Sequence, residues 1–410
     1  MKILFTTVKL SSNLGYPSIV SAIVEMNKKY KDDLYIVRNC FSKKELELIK
    51  HYNLKYIDFP IFYKSNSITF IISLFIAILM KRKLSYNSKS KIILQLAELS
   101  SFDVVVDLAG IDFTDKFISK MPFKSIWNHR IWFLSKILNV AVIKYTTAIG
   151  PCEKFATKIS LKTCSKFCDL FYLRDKQSFS VFNSLQIKTQ SKIVPDTAFM
   201  MASDTKSKFS DTILSIRQQK KVVGLAVSYQ HKNRTKNYNE TLAQLVEYLE
   251  NRDYYVLLIP NENNEGNQNA DDRIVCKEIL QMISDKNNVS ILDVDNITPN
   301  QIKVVISCCD FIITSRYHTL IAALSTAKPT LALSWHHKYI EALLLFGLED
   351  YVIETNNFNI NNVISKFENM EENHQEIINK IILNLPSVQK EVINAFEYAR
   401  EYITKKKDKQ

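Results

Sequence analysis

Short apolar runs alternate with helix-length segments along nearly the whole chain, and this alternation leaves few folds open. In the first half the runs are Ile3–Val8, Leu34–Val37, Val104–Leu108, Ala141–Tyr145 and Leu170–Leu173. A second series follows in Val222–Val227, Tyr254–Ile259, Val289–Leu292, Phe311–Thr314 and Thr330–Leu333. A strand covered on both faces has no polar side to show, so continuous apolar runs with helices between them predict parallel sheets in an α/β fold. Two doubly wound domains follow. The boundary is expected between Phe199 and Lys221, where Asp204-Thr205-Lys206-Ser207-Lys208 breaks the apolar pattern, giving domains over 1–203 and 204–358. Beyond Phe358 the strands stop. Two helices are expected in 359–410, Ile360–Leu383 and, after Pro386, Val388–Ile403, crossing back to brace the first domain.

Only six glycines occur, and neither G-x-G-x-x-G nor a P-loop is among the patterns they form, so any phosphate must be held by side chains and helix ends. Lys plus Arg (54) minus Asp plus Glu (42) gives +12, a charge that suits phosphorylated substrates, anionic lipid or nucleic acid. The basic residues are scattered, with no RNA-binding signature and no arginine stripe interleaved with aromatics, so nucleic acid is not expected as a partner. Seven cysteines form no C-x-x-C pair and read as reduced thiols. Cys164 and Cys168 lack further ligands nearby, and no metal is expected. Met1-Lys2-Ile3-Leu4-Phe5 opens directly as a strand, without a leader segment, which points to the cytoplasm. Ile68–Met80 is the most apolar stretch, with Lys81-Arg82-Lys83 next. Thirteen residues are too few to span a bilayer, for which about 20 are needed. The stretch reads as a buried helix, the alternative being a helix lying in the membrane interface with its basic end on anionic lipid.

The most informative segment is Asp310-Phe311-Ile312-Ile313-Thr314-Ser315-Arg316-Tyr317-His318, a buried strand that empties into a polar turn and then into the apolar helix Thr319–Leu324. Ligands of open α/β sheets bind beyond the carboxyl ends of strands, where the next helix offers N–H groups and a positive dipole end. Arg316 can add a guanidinium fork for phosphate or carboxylate, and His318 can move a proton near neutral pH. By themselves these residues could equally be an arginine paired with an acid and a histidine that satisfies a turn.

Ser315-Arg316-Tyr317-His318, then Ala327-Lys328-Pro329, His337-Lys338-Tyr339 and Phe346-Gly347-Leu348, resemble in order the motifs of the polysaccharide pyruvyl transferase family. Upstream, Ile149-Gly150-Pro151, Arg174-Asp175 with Ser178, and Pro195-Asp196-Thr197-Ala198-Phe199 are similar to further family elements. Asp103–Gly110 with Asp112 and Asp115 looks like its first-domain strand and turn. The resemblance runs from about Asn13 to Tyr351 and departs from the common pattern at Tyr16, Thr146 and Asn261, positions on the acceptor side.

The resemblance implies two Rossmann-like domains facing a cleft, the GT-B-like arrangement, with donor chemistry on the second domain and the acceptor on the first. It implies transfer of pyruvate from phosphoenolpyruvate to a sugar as a ketal in surface polysaccharide biosynthesis. The donor is itself a substrate, and no cofactor is expected. Such chemistry needs a general acid, cations for the phosphate and carboxylate, and a base for the sugar hydroxyl. Arg316, with Ser315 and the helix that begins at Tyr317, would grip the donor; His318 would be acid or phosphate ligand; His337 or Lys338 would complete the positive pocket. Asp107 or Asp112 would address the sugar, and Asn13, Asp112, Asp115 and Asn261 would line the acceptor side. On this reading Arg316→Ala abolishes transfer and leaves the fold intact. The acceptor would be a glycan or lipid-linked sugar, with peripheral association at the inner face of the membrane. Two other readings compete: a nucleotide-sugar glycosyltransferase, for which Glu341 and Glu349 have an E-x7-E spacing, and a non-catalytic protein that binds the membrane surface through Ile68–Lys83.

Overall fold

The structure, a computed structural model, describes residues 1–10, 14–38, 41–59, 67–80, 88–115, 126–204, 208–262, 271–295 and 297–408. The chain forms two compact units. The first comprises Met1–Val8, Met26–Pro195 and Ile393–Gln410, and the second Lys9–Glu25 and Asp196–Val392.

The first unit is built on strands β1 (Lys2–Thr6), β2 (Asp33–Arg38), β3 (Lys55–Asp58), β4 (Val104–Asp107), β5 (Ile111–Asp112), β6 (Ala141–Ile149), β7 (Leu170–Leu173) and β8 (Gln190–Ile193). Their order is β3-β2-β1-β4-β6-β7-β8, with β5 beside β6 and every pairing parallel. Helices cover the sheet, and Leu4, Val105, Val142, Phe171 and Trp132 share one core. The register matters for chemistry: Thr6 lies opposite Asp107, and Asp107 opposite Lys144.

Strands β9 (Val222–Ala226), β10 (Tyr255–Leu258), β11 (Val289–Ile291), β12 (Phe311–Thr314), β13 (Thr330–Ser334) and β14 (Val352–Glu354) make the second unit's sheet. The order β11-β10-β9-β12-β13-β14, all parallel, is that of a doubly wound fold. Gly224 in β9 lets neighbouring side chains pack close, for a Cβ there would stand 2.7 Å from the Ile312 Cδ1 of β12 and that side chain would have to move. The strand order reverses between β1 and β4 in the first unit and between β9 and β12 in the second. Beyond the carboxyl ends of the strands at such a reversal, an α/β sheet leaves room for a ligand.

Helix Pro299–Cys308 opens with the capping box expected of Thr298-Pro299-Asn300-Gln301: Thr298 Oγ1 accepts the Gln301 N–H, and the Gln301 side chain accepts the Thr298 N–H. Asn300 donates to Ser21 Oγ at 2.8 Å, tying helix Gly15–Asn27 to this unit. Lys303 on the same helix is buried and reaches the Met201 carbonyl. Burial lowers its pKa from 10.5 to about 8. Below pH 8 the folded and unfolded chains both hold the proton and the burial penalty stands in full; between 8 and 10.5 the folded chain releases it first, so stability rises with pH there. Lys303→Met should therefore stabilise the protein at pH 7 by about 1–3 kcal/mol, with the gain shrinking towards pH 10 in urea unfolding curves. A loss at pH 7 would mean that the bond to Met201 outweighs the penalty.

Two sequence expectations need correction. The C-terminal helices are Ile360–Glu372 and His374–Asp408, so the break falls at Asn373 and Pro386 lies inside the second helix. Pro386 removes an N–H that would have bonded the Ile382 carbonyl. Ile382 and its neighbour Leu383 are exposed, and water can take that carbonyl instead. The long helix is shared, counting with the second unit as far as Val392 and with the first from Ile393. The apolar stretch does form a helix, Ser67–Met80, but it is not buried all round: Phe70, Ser73 and Ala77 face the core and the opposite side is exposed. Among the described residues no helix is long and apolar enough to cross a membrane.

Candidate functional site

In the second unit the reversal point gathers the residues after β9, β10, β12 and β13. β12 ends at Thr314, whose hydroxyl accepts the Arg316 N–H at 2.9 Å and donates to the Arg316 carbonyl at 3.0 Å, fixing the turn into helix Tyr317–Leu324. Ser315 is buried, its hydroxyl bonded to Tyr238 OH at 2.6 Å and His231 Nδ1 at 3.2 Å, and its carbonyl accepting from Tyr339 OH at 2.7 Å. It frames the site from beneath. His231 is pushed down to about 4, by burial first and by Arg234 second, and is neutral at physiological pH.

Arg316 is committed to carboxylates. Nη1 donates to Glu262 Oε2 at 2.9 Å and Nη2 to Asp272 Oδ1. Asp272, wholly buried, also accepts the N–H groups of Tyr229, Asn261 and Glu262, and so joins the turns after β9 and β10 to Arg316. Burial works to lower the Arg316 pKa, but Asp272 and Glu262 hold it above its ordinary value. Burial pushes the Glu262 carboxyl up against the pull of Arg316. One cation against two carboxylates leaves no net positive charge, so Arg316 by itself is a poor trap for an anion.

The positive charge comes from neighbours. Arg234, in the turn after β9, packs its guanidinium 4.6 Å from the Trp335 ring centroid and has no carboxylate partner among the described residues. Burial first, then the like charge of Arg316, lowers its pKa, and both effects would be relieved by a bound anion. Lys338 is buried with its ammonium 4.7 Å from the centroid of Tyr317 and 5.3 Å from that of Trp335. His318 lies in the first turn of helix Tyr317–Leu324, beside Tyr317 at 5.3 Å between ring centroids; His337 precedes helix Lys338–Leu344 and stands 4.2 Å from His336. Of the donor residues expected from sequence, Arg316, Tyr317, His318, His337 and Lys338 are thus brought to the ends of β12 and β13. Arg234, Glu262 and Asp272 were not foreseen. Their signal was positional, for they follow β9 and β10 next to the reversal point.

The first unit holds a second polar cluster at its own reversal point. Lys144, wholly buried in β6, donates to Asp107 Oδ1 at 2.7 Å and Asp112 Oδ2 at 2.9 Å. His129 Nε2 lies 2.9 Å from Asp112 Oδ2, and its ring stacks on Phe113 at 4.7 Å. Asp107 has no capacity to spare: Oδ1 also accepts the Ala109 N–H, and Oδ2 accepts from Thr7 Oγ1 and Trp132 Nε1. Such a carboxylate holds structure together and is not placed to take a proton from a sugar. Burial would raise the Asp112 pKa, but Lys144 and His129 hold it well below the usual carboxylate range. Burial would lower that of His129, and Asp112 more than reverses this, so the imidazole is protonated. Asp112, the more exposed of the two acids, can accept a hydroxyl's hydrogen bond but is a weak base.

The remaining expected residues have structural tasks. Asp115 accepts the N–H groups of Glu153 and Lys154 and the Thr157 hydroxyl, closing the start of helix Phe155–Ser165. Asn261 stands beside Arg316's partners: its N–H goes to Asp272, and its Oδ1 accepts from Thr319 Oγ1 at 2.6 Å. Asn13 lies outside the described residues. Arg174 donates to the Gly110 carbonyl, while Asp175 caps helix Lys176–Ser184 by accepting the Ser178 N–H at 2.6 Å. Glu341 and Glu349 do not share a helix, which ends at Leu344 before Gly347 turns with φ +64°.

Comparison with known proteins agrees with the motif order. The family model described as polysaccharide pyruvyl transferase matches residues 19–337. The amylovoran biosynthesis protein AmsJ of Erwinia amylovora is 20% identical over 291 residues, 68% of each chain. Among solved structures, a glycosyltransferase from Rickettsia africae superposes with a TM-score of 0.61 at 11% identity, covering 98% of both chains. A UDP-GlcNAc 2-epimerase from Neisseria meningitidis bound to UDP-GlcNAc gives 0.57 at 14% identity, covering 98% of this chain and 100% of that one. At such identities the likeness shows the fold, which is α/β and GT-B-like. With a family match over most of its length and the Ser315–His318 and His337–Tyr339 motifs set around the second sheet's reversal point, the chain belongs to the polysaccharide pyruvyl transferase family.

Proposed function

We propose that this transferase moves the enolpyruvyl group of phosphoenolpyruvate onto two hydroxyls of a sugar, closing it as a ketal during synthesis of a surface polysaccharide. The observation that carries the reading is the guanidinium of Arg234, without a carboxylate partner among the described residues and beside Lys338 and the start of helix Tyr317–Leu324. Two cations and a helix N-terminus suit a small ligand that bears both a phosphate and a carboxylate. AmsJ, named for amylovoran biosynthesis, together with the family, supports a polysaccharide under synthesis as the acceptor.

Atoms balance in two steps. A proton goes to the methylene carbon of the donor and a sugar oxygen bonds to the adjacent carbon, its own proton going to a base. Phosphate then leaves with its bonding pair, and the second hydroxyl attacks the resulting oxocarbenium centre and releases its proton. His318, in the first turn of helix Tyr317–Leu324, would give the first proton; Arg234 and Lys338 would hold the anionic groups; Glu262 and Asp272 orient Arg316. Asp112 would accept a hydrogen bond from the acceptor sugar.

Calorimetric and thermal-shift binding of phosphoenolpyruvate, set against UDP-, GDP- and CMP-sugars, tests the donor. Ligand that binds only the folded chain stabilises it by about 2.7 kcal/mol at a hundredfold excess over Kd. Phosphoenolpyruvate should raise the melting temperature, and Arg234→Ala should weaken its binding about 10- to 100-fold while leaving the unliganded Tm in place. A response to nucleotide sugars alone would overturn the reading.

A further inference from the structure

We infer that helix Ser67–Met80 seats the first unit on an anionic lipid surface. On one face of this helix Ile71, Ile72, Phe75, Ile78 and Leu79 are 62, 44, 61, 61 and 66% exposed. Their spacing of one, four, seven and eight residues puts all five on a single stripe. The opposite face is fully employed: Phe70 meets Trp127 edge-on at 5.1 Å, Ala77 is in the core, and Ser73 returns its hydroxyl to the Thr69 carbonyl. The exposed stripe is therefore not a helix waiting to be turned inward. Five large apolar side chains side by side are more than a water-facing surface usually carries, and they mark a place where something docks.

Charge identifies what docks. From Phe59 to Ala97 the sequence has no Asp or Glu, but it has Lys64, Lys81, Arg82, Lys83, Lys89 and Lys91. Those six charges are half of the net +12 of the whole chain. Lys89 and Lys91 are exposed at the start of helix Lys91–Ser100, which packs on helix Ser67–Met80. An apolar stripe in a stretch of sequence without acidic residues, with the exposed Lys89 and Lys91 at the start of the helix packed against it, fits a boundary that offers hydrocarbon at depth and phosphate at the surface. It does not fit an apolar protein pocket, which has no counter-charge to give. At 14 residues the helix is about 21 Å long, short of the roughly 30 Å hydrocarbon layer, so it lies along the surface and does not cross it. This placement is independent of which donor the second unit binds.

Flotation of the full chain with vesicles of phosphatidylcholine, with and without phosphatidylglycerol, tests the inference in the absence of any substrate. The wild type should float with the anionic vesicles, and salt should weaken the association. Phe75→Ser with Ile78→Ser should reduce it about tenfold or more, and Lys89→Glu with Lys91→Glu by about tenfold. Both variants change exposed side chains, so far-UV circular dichroism and melting should match the wild type. Failure of the wild type to float with either vesicle overturns the inference, as does equal flotation with both vesicles that neither variant alters. A wild type that ignores lipid and sediments as a dimer, with the serine variant a monomer, would overturn it in favour of a second copy of this chain.

Discussion

Replacing Lys144 with methionine should destabilise the protein by about 3–5 kcal/mol, the usual cost of leaving a buried carboxylate without its cation. Few single substitutions reach that size. Among the described residues Lys144 alone bonds both Asp107 and Asp112, and Asp107 is buried. Its loss would force a proton onto an acid or drag water into the first unit's core. Lys144→Met with Asp107→Asn should recover about 1–3 kcal/mol, because the second change removes the stranded charge. Urea unfolding followed by tryptophan fluorescence reads both, since Trp132 donates to Asp107 and lies 5.9 Å from the ammonium. A single variant as stable as the wild type would show that the cluster is not buried as described. The same cluster sets a pH window. The Asp112 contribution is present above its ordinary pKa of 3.8 and is lost as pH falls through the depressed folded value. The His129 contribution is full below 6.5 and is lost as pH rises through the elevated folded value.

Arg316→Ala is the second large effect, and its two buried ion pairs predict a loss of stability where the sequence alone led us to expect an intact fold. The substitution leaves Glu262 and the wholly buried Asp272 facing each other without a cation, at a cost of about 3–5 kcal/mol. Loss of activity in that variant would then say little about catalysis. Adding Glu262→Gln should return part of the stability without returning activity, whereas Arg234→Ala should lose donor binding at unchanged stability. Chemical denaturation of the three proteins separates the roles. If Arg316→Ala unfolds at the same urea concentration as the wild type, the arginine is not the keystone that its bonds make it.

Central strands were legible in the sequence because both their faces are covered, and the apolar runs from Val104, Ala141, Val222, Phe311 and Thr330 all became strands. The edges were not. Gln190–Ile193 and Lys55–Asp58 are largely exposed and carry polar side chains, so neither has an apolar run to announce it. β5 has two residues and β14 three, too short for any periodicity. At the sites, sequence reading found the turn after β12, where charge, histidine and helix start are contiguous. It could not see that Glu262 and Asp272, more than forty residues upstream, take the arginine's fork. Lys144 did leave a trace, a lysine inside the apolar run Ala141–Tyr145 where a central strand should tolerate none. A charge in such a place predicts buried carboxylates near it.

The long last helix also governs the order in which the protein can be made. Asp32, Asp103 and Asp169, at the ends of the first unit's strands, receive Arg400, Lys407 and Lys406 from that helix. In all three pairs the ribosome makes the carboxylate hundreds of residues before its cation. Until residue 407 has left the exit tunnel, the first sheet has its strands but not the charges that close its amino-terminal rim. Residues 9–25 meanwhile wait for a unit that begins at Asp196. The second unit has all of its chain once Val392 is made, whereas the first still awaits Ile393 onward, so the half that starts first finishes second and no single cut separates the two units.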